Sequence, residues 1–462
     1  MPAAESSVGS EPVIDATEED ALLVDKTQRP GNHETTRARV RGLSRNPALP
    51  DTLVPRILEH PAADLVDVIH RREWSDELFD AVAAHSDVRV REMLAQAGGV
   101  SVEQRTRMVD DASFGVAMAL LEGPFTTRPQ PLPVWAYRKL AERPDVKRML
   151  RLLHPNELSR AAVAALADVE DEEIASWARL TSGGQPEPMT VERLRTIAAG
   201  DSVWEKANIA LEPALPEDVV ASLSAHPEPR VRTYVSMRPE LTEQQRTAIG
   251  SEVSENDRLP RLAWVLEAEG EQLQACVSSA HPGLRRSAAC NKRLSAEQIA
   301  TLAADDDFPV RLLLCENQDA VSTDLVVRTY LEARVITRGQ LLSHAAIVGA
   351  DLTRYADSPH WGARALVVLD RRAPAELIER LSRDEHPGVR NWVAGDKRLS
   401  QDRLLELFEA PETTEAAAAN PNLPVELMAA ILEAPIDADG PPEDKVLVLG
   451  HTMPTHEPIP EL

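Results

Sequence analysis

Between Leu284 and Ser322 the chain reads LRRSAACNKRLSAEQIATLAADDDFPVRLLLCENQDAVS, a unit stated once and then begun again. Leu284-Arg285 and Val310-Arg311 lie 26 residues apart, and each opens a short run of Ala, Leu and Cys that ends in a polar turn and a small hydroxyl residue, Ser295 or Ser322. Aligned on the residue that opens the longer run, further units read DLVDVIHRREWS to Ser75, VREMLAQAGGVS to Ser101, VRTYVSMRPELT to Thr242 and VRNWVAGDKRLS to Ser400. First positions at Asp64 and Val90, Glu205 and Val231, and Ala363 and Val389 repeat the spacing of 26. The jumps from Val231 to Leu284 and from Val310 to Ala363 are both 53, which leaves room for one degraded unit in each. A period of this size marks a stack of helical repeats.

Within a unit the longer run, as in Ser295-AEQIATLAADD or Ser400-QDRLLELFEA, has apolar residues three and four apart and predicts an amphipathic helix. Ser101/Gln104, Thr242/Gln245 and Ser295/Gln298 fit the capping box, in which two side chains satisfy backbone donors left open at a helix start. Proline recurs at the break before the shorter run (Pro61, Pro227, Pro282, Pro309, Pro359, Pro387), where a helix start leaves its missing amide without cost. The shorter run spans about two turns and needs neighbours on both sides to persist.

Residues 1–36 are acidic and poor in bulky apolar side chains, which predicts a disordered tail. The repeats then occupy 37–435, with the first apolar run from Leu49 to Leu58. An irregular insertion falls around 110–200, where Leu120 to Trp135 holds four prolines and reads as a long loop, a helical pattern resumes through Leu180, and Thr181 to Thr190 reads as a second loop. Such an insertion is either drift or a functional edge. Residues 436–462 form an acidic, Pro-rich tail with one apolar patch, Lys445 to Gly450, suited to a cap, a strand or a docking motif. A stack whose units touch only their neighbours grows with length, so 462 residues are compatible with one long domain.

Charge narrows the partners. The net charge is −25, and residues 1–30 and 433–462 contribute −5 and −6 of it. An acidic chain repels phosphate backbones and so disfavours broad nucleic-acid binding, while basic protein partners are easily accommodated. Cys276, Cys290 and Cys315 lack CxxC spacing and fall inside the apolar pattern, as buried thiols of a reducing cytoplasm would. The N-terminus lacks the basic and apolar regions of a secretion signal, and no apolar run approaches membrane-spanning length.

The motif N-P-x-L-P-x-x-L, as NPALPDTL at Asn46 and NPNLPVEL at Asn420, with H-P-x-x-x-V-R between copies, resembles the leucine-rich repeat variant family, within the wider class of HEAT-like helical repeats. The resemblance covers Arg41 to Pro435. It implies an all-α fold, a right-handed α-solenoid in which each unit adds an α-helix and a shorter, often 3₁₀-like helix. Some members of that family hold a cysteine-ligated iron–sulfur cluster before the repeats. This chain has no cysteine before Cys276, so that cofactor is not carried over and none is expected.

One arginine per unit opens the short helix: Arg91, Arg232, Arg285, Arg311, Arg364 and Arg390. As a ladder these guanidinium forks would grip carboxylates or phosphates of a partner. Alternatively each pairs with an acid of the adjacent unit, such as those at Asp305 to Asp307 or Asp384-Glu385, and satisfies turn carbonyls. The histidines before proline (His60, His154, His226, His281, His386) recur once per unit and so form a line rather than a tetrahedral metal site. His451 and His456 are a close pair without converging acids or thiols. Trp264, Trp361 and Trp392 fall in or beside short helices, as packing residues would.

No G-x-S-x-G, H-E-x-x-H, Walker-type loop or G-x-G-x-x-G occurs. The expectation is therefore a non-enzymatic scaffold that presents an extended helical surface to a protein or peptide. Two alternatives stand beside it: a HEAT-like nucleic-acid-binding or DNA-repair protein with an arginine-lined concave face, and a HEAT-like lyase acting on a bound cofactor.

Overall fold

In the computed structural model the described residues are 32–70, 73–124, 130–150, 152, 158–183 and 189–435. They are all-helical, with no strand among them. They form two compact units, one made of 32–182 with 390–435, the other of 183–389.

The second unit holds the clearest repeats. The long helix Ala296–Ala303 starts where Ser295 accepts the Gln298 N–H while the Gln298 side chain accepts the Ser295 N–H. Both halves of the box also close at Thr242/Gln245 here and at Ser101/Gln104 in the first unit. Short helices stack on short helices, as Pro282–Ala289 does on Phe308–Asn317, and long on long, as Gly270–Val277 does on Ala296–Ala303. Leu273, Leu284, Leu302, Val310 and Leu314 fill the seams. The helices of the shorter runs are α-helical over 8 and 10 residues rather than 3₁₀, and so are no shorter than the 8-residue helices of the longer runs beside them. Pro282 and Pro309 sit in the first turn, whereas Pro227 and Pro359 precede their helices, which begin at Pro229 and Trp361. The degraded units are visible as a four-residue helix, Ala263–Leu266, and a 3₁₀ stretch, Ile336–Ser343.

A polar side chain ties each unit to the one before it. Asn291 donates to the carbonyls of Val265 and Ala268 at 2.8 and 2.9 Å, and accepts from the Arg293 N–H at 2.7 Å. Gln318 donates to the Ala289 and Asn291 carbonyls, and His344 Nε2 lies 3.1 Å from the Gln318 carbonyl. Arg238 performs the same task toward Ala210 and Glu212. These carbonyls lie at helix ends; Ala268, Ala289 and Ala210 are served by the side chain, while Val265 and Glu212 also accept a backbone N–H.

In the first unit, Val88–Gln96 packs on Phe114–Glu122 and Val134–Glu142 on Arg160–Leu166, so residues 110–182 continue helix-on-helix packing. The segment from Leu120 to Trp135 is not loop throughout. One helix runs to Glu122, ends at Gly123 with φ 86°, and the next begins at Val134. Likewise Glu172–Gly183 extends past Thr181 into the stretch expected as a second loop. The apolar patch at 445–450 and the pair His451/His456 lie outside the described residues, as do residues 1–31.

The tail boundary near residue 36 moves. A helix spans Asn32–Ser44, and its Val40 and Leu43 are fully buried. It packs against Thr414–Ala418 and Val425–Glu433, from the other end of the chain. Asn46 donates to the carbonyls of Ala418 and Asn420, as Asn420 does to those of Ala394 and Asp396. The first described repeat therefore sits on the last described repeat as sequence neighbours sit on each other.

Candidate partner-binding surface

Five of the six ladder arginines share one construction. One nitrogen of Arg285 donates to the Ser279 and Ala280 carbonyls, five and six residues back, and the other edge is bidentate to Asp305 at 2.7 and 3.1 Å. Arg364 repeats this on Ser358, Pro359 and Asp384, and Arg91 on His85, Ser86 and Asp111. Arg311 takes the Asp305 and Asp306 carbonyls and Glu332; Arg232 takes the His226, Pro227 and Gly250 carbonyls and pairs with Glu252 at 3.6 Å. Arg390 pairs with Glu412 at 3.2 Å. Those five are staples between the turn before their helix and a group about 20 residues on, and all six side chains are only 7–23% exposed.

The acids respond as paired carboxylates should. Burial opposes ionisation of Asp111 and Asp384, yet the hydrogen bonds from Arg91 and Arg364 and from backbone N–H groups hold both below the usual carboxylate range. The guanidinium edges a phosphate or partner carboxylate would need are thus taken up within the chain.

The histidines serve the turns. The Nδ1 of His60, His226, His281 and His386 accepts the N–H two residues ahead, and the same bond forms at His85, His344 and His360. His154 lies outside the described residues. Among the described residues no group of three His, Cys, Asp or Glu side chains converges as metal ligands would.

One pair invites a catalytic interpretation and the geometry answers it. Ser236 Oγ lies 2.9 Å from His281 Nε2, both buried, with Ser236 donating to the Thr233 carbonyl. Because His281 Nδ1 accepts from Gly283, its proton sits on Nε2 and is donated to the serine. A general base would have to accept there, so this dyad is wired in reverse.

Burial, reinforced by the nearby Arg246, pushes His281 down to about 4. Its neutral form is required by the fold, so stability is full above about pH 6.5 and declines as pH falls toward the folded value. We expect a loss of roughly 2–3 kcal/mol by about pH 4.5 from this residue. Guanidinium midpoints at neutral pH and at that pH should differ less in His281→Gln than in the natural protein; an unchanged difference would refute the assignment. The Asp111 and Asp384 contributions are lost only below this window, since their folded values are lowered from 3.8.

The thiols are equally enclosed: burial pushes Cys276 and Cys315 up to about 11 and Cys290 upward, so all three are protonated at neutral pH. Trp264 donates to the Met237 carbonyl, Trp361 is buried against His386 with ring centroids 4.3 Å apart, and Trp392 is half-buried in Pro387–Ala394.

Among the exposed groups, one acid recurs by position. The second residue of long helix after long helix is an exposed carboxylate: Glu77, Glu103, Asp402 and Glu426 in the first unit, and Glu192, Asp218, Glu271, Glu297, Asp324 and Glu376 in the second. Asp218 and Asp324 are paired, with Arg195 and Arg354; the others form no ion pair with a described residue. An acid at this position steadies the positive end of its helix. Its recurrence two residues after each capping residue was the available sequence signal, hidden by the general abundance of Asp and Glu. No helix of the described residues is long and apolar enough to cross a membrane. Comparison with protein-family models, with curated proteins and with solved structures finds no match.

Proposed function

We propose that the protein is an interaction scaffold of the leucine-rich repeat variant or HEAT-like kind, presenting its row of helix-start carboxylates to a basic protein or peptide. The observation that carries this reading is the division of charge. Recurrent arginines are spent inside as staples, while one exposed acid per long helix recurs at the surface. Repetition at one helical position spaces these acids regularly within each unit, which suits an extended basic segment better than a compact ligand. The overall charge of −25 would speed encounter with such a partner.

The test compares the full chain with a variant carrying Glu271→Lys, Glu297→Lys and Glu376→Lys, each used to retain proteins from native cytosol at low and high salt. Basic proteins held by the natural chain at low salt should be lost from the variant and released by salt. Equal retention by both chains would sink the proposal. Low-salt binding of a fluorescent DNA duplex by the natural chain would favour the nucleic-acid reading instead.

A further inference from the structure

The join between the first and last described repeats is built like a binding interface. Arg39 lies 4.0 Å over the Phe408 ring, donates to Thr414 Oγ1 and the Phe408 carbonyl, and pairs with Glu409 at 3.2 Å. Arg41 pairs with Glu415 at 3.1 Å, and Arg45 grips the same carboxylate. At Gly42 the backbones touch, since a Cβ there would lie 2.0 Å from the Glu415 carbonyl oxygen and 2.8 Å from the Ala418 Cβ. Asn46 completes the contact on the Ala418 and Asn420 carbonyls.

Two properties set this join apart from the others along the stack. Its partners are separated by about 370 residues, whereas the tie from Asn291 spans 23 and 26 residues. Its central ion pairs are about one-third exposed, so salt and competing charges reach them, unlike the enclosed staple of Arg364 on Asp384. The two faces are also different from each other. An arginine-bearing helix meets an acidic, carbonyl-rich end, so the contact is heterologous and the same faces can pair between molecules.

We propose that residues 408–420 form a docking surface for the head segment 32–46 that is filled by the chain's own head and, when that head is released, by the head of a second copy. The intramolecular arrangement wins in the natural protein because the tethered head is present at high effective concentration. Detachment leaves the Ala418 carbonyl and the Phe408 ring open and the Asn420 carbonyl with the Leu423 N–H alone, which is what a second head would cover.

Charge exchange tests this in the full chain. Glu415→Arg repels its own head, and the double variant Arg41→Glu/Arg45→Glu repels its own tail, yet each head complements the tail of the other variant. Each variant alone should sediment as a monomer with amide exchange over 408–420 raised at least tenfold, and an equimolar mixture should associate in a concentration-dependent manner. Combining all three substitutions in one chain should restore both the monomer and the protection. Absence of hetero-association on mixing would overturn the proposal, as would unchanged exchange in the separate variants. Loss of far-UV helicity in either would do so too, because the join would then be inseparable from the fold rather than a docking event.

Discussion

Asn291→Ala should destabilise the protein by about 3 kcal/mol, because the buried Ala268 carbonyl loses its hydrogen bond while the Val265 carbonyl and the Arg293 N–H each lose one. The side chain is 0% exposed and bridges two units, donating to Val265 and Ala268 while accepting from Arg293. Truncation strands the Ala268 carbonyl, at about 1–3 kcal/mol, leaves the Val265 carbonyl with the Ala268 N–H alone, and removes the acceptor of the part-buried Arg293 N–H. Asn291→Asp keeps the shape and the bond from Arg293 but turns a carboxyl oxygen toward two carbonyl oxygens, and should cost at least as much at neutral pH. Asn422→Ala is the control: that residue is exposed and donates only to the Lys397 carbonyl, so its loss should stay below about 1 kcal/mol. Guanidinium unfolding of the three variants checks the order, and an Asn291→Ala cost near that of the control would show that the inter-unit tie contributes little.

Arg286→Met is the second large effect, about 3–5 kcal/mol. Arg286 follows the ladder residue Arg285 and is more deeply enclosed, with side-chain exposures of 5% for it and 11% for its partner Asp307. It is bidentate to Asp307 at 2.6 and 2.8 Å and donates to the carbonyls of Ser254 and Asp257. Methionine fills much of the volume, so the loss reports on the stranded carboxylate and carbonyls rather than on a cavity. Adding Asp307→Asn should recover part of the loss because the uncompensated charge is removed. Arg380→Ala breaks a pair with Asp357 whose side chains are 55% and 82% exposed, and should cost less than about 1 kcal/mol. Equal effects at the two sites would mean that burial does not set the strength of these pairs.

Asp307 also marks a limit of local sequence logic. It occupies the capping position before Phe308–Asn317 yet makes no side-chain cap, because Arg286 holds its carboxylate. Ser295 in the matching place before the preceding long helix does cap. The residue type suits both tasks, and only the neighbour 21 positions earlier decides between them.

The ladder shows the same division. Its period and its register at the short-helix start were legible from Leu284-Arg285 onward, as was the possibility that each arginine meets an acid of the next unit. Which edge of each guanidinium stays available depends on two turns closing around it, and that is a matter of packing. The polar spine was half visible: Asn46 and Asn420 shared a motif, whereas Gln318, His344 and Arg238 do the equivalent work with different chemistry. Any donor of suitable reach serves the same carbonyls, so residue identity drifts while the task persists.

By itself the sequence determined the helical class, the 26-residue unit and the starts of its capped helices, because these depend on contacts within one or two turns. The tertiary structure alone decided that the first and last described repeats meet. Asn32–Ser44 carries Arg37, Arg39 and Arg41 and few apolar residues, so the sequence places 37–44 in the repeats but leaves 32–36 in the tail and shows no partner for the arginines. It becomes a repeat helix because Phe408, Thr414 and Glu415 supply the ring, hydroxyl and carboxylate its arginines require. Contacts across some 370 residues leave no period in the sequence; they exist only where the fold returns one end of the chain to the other.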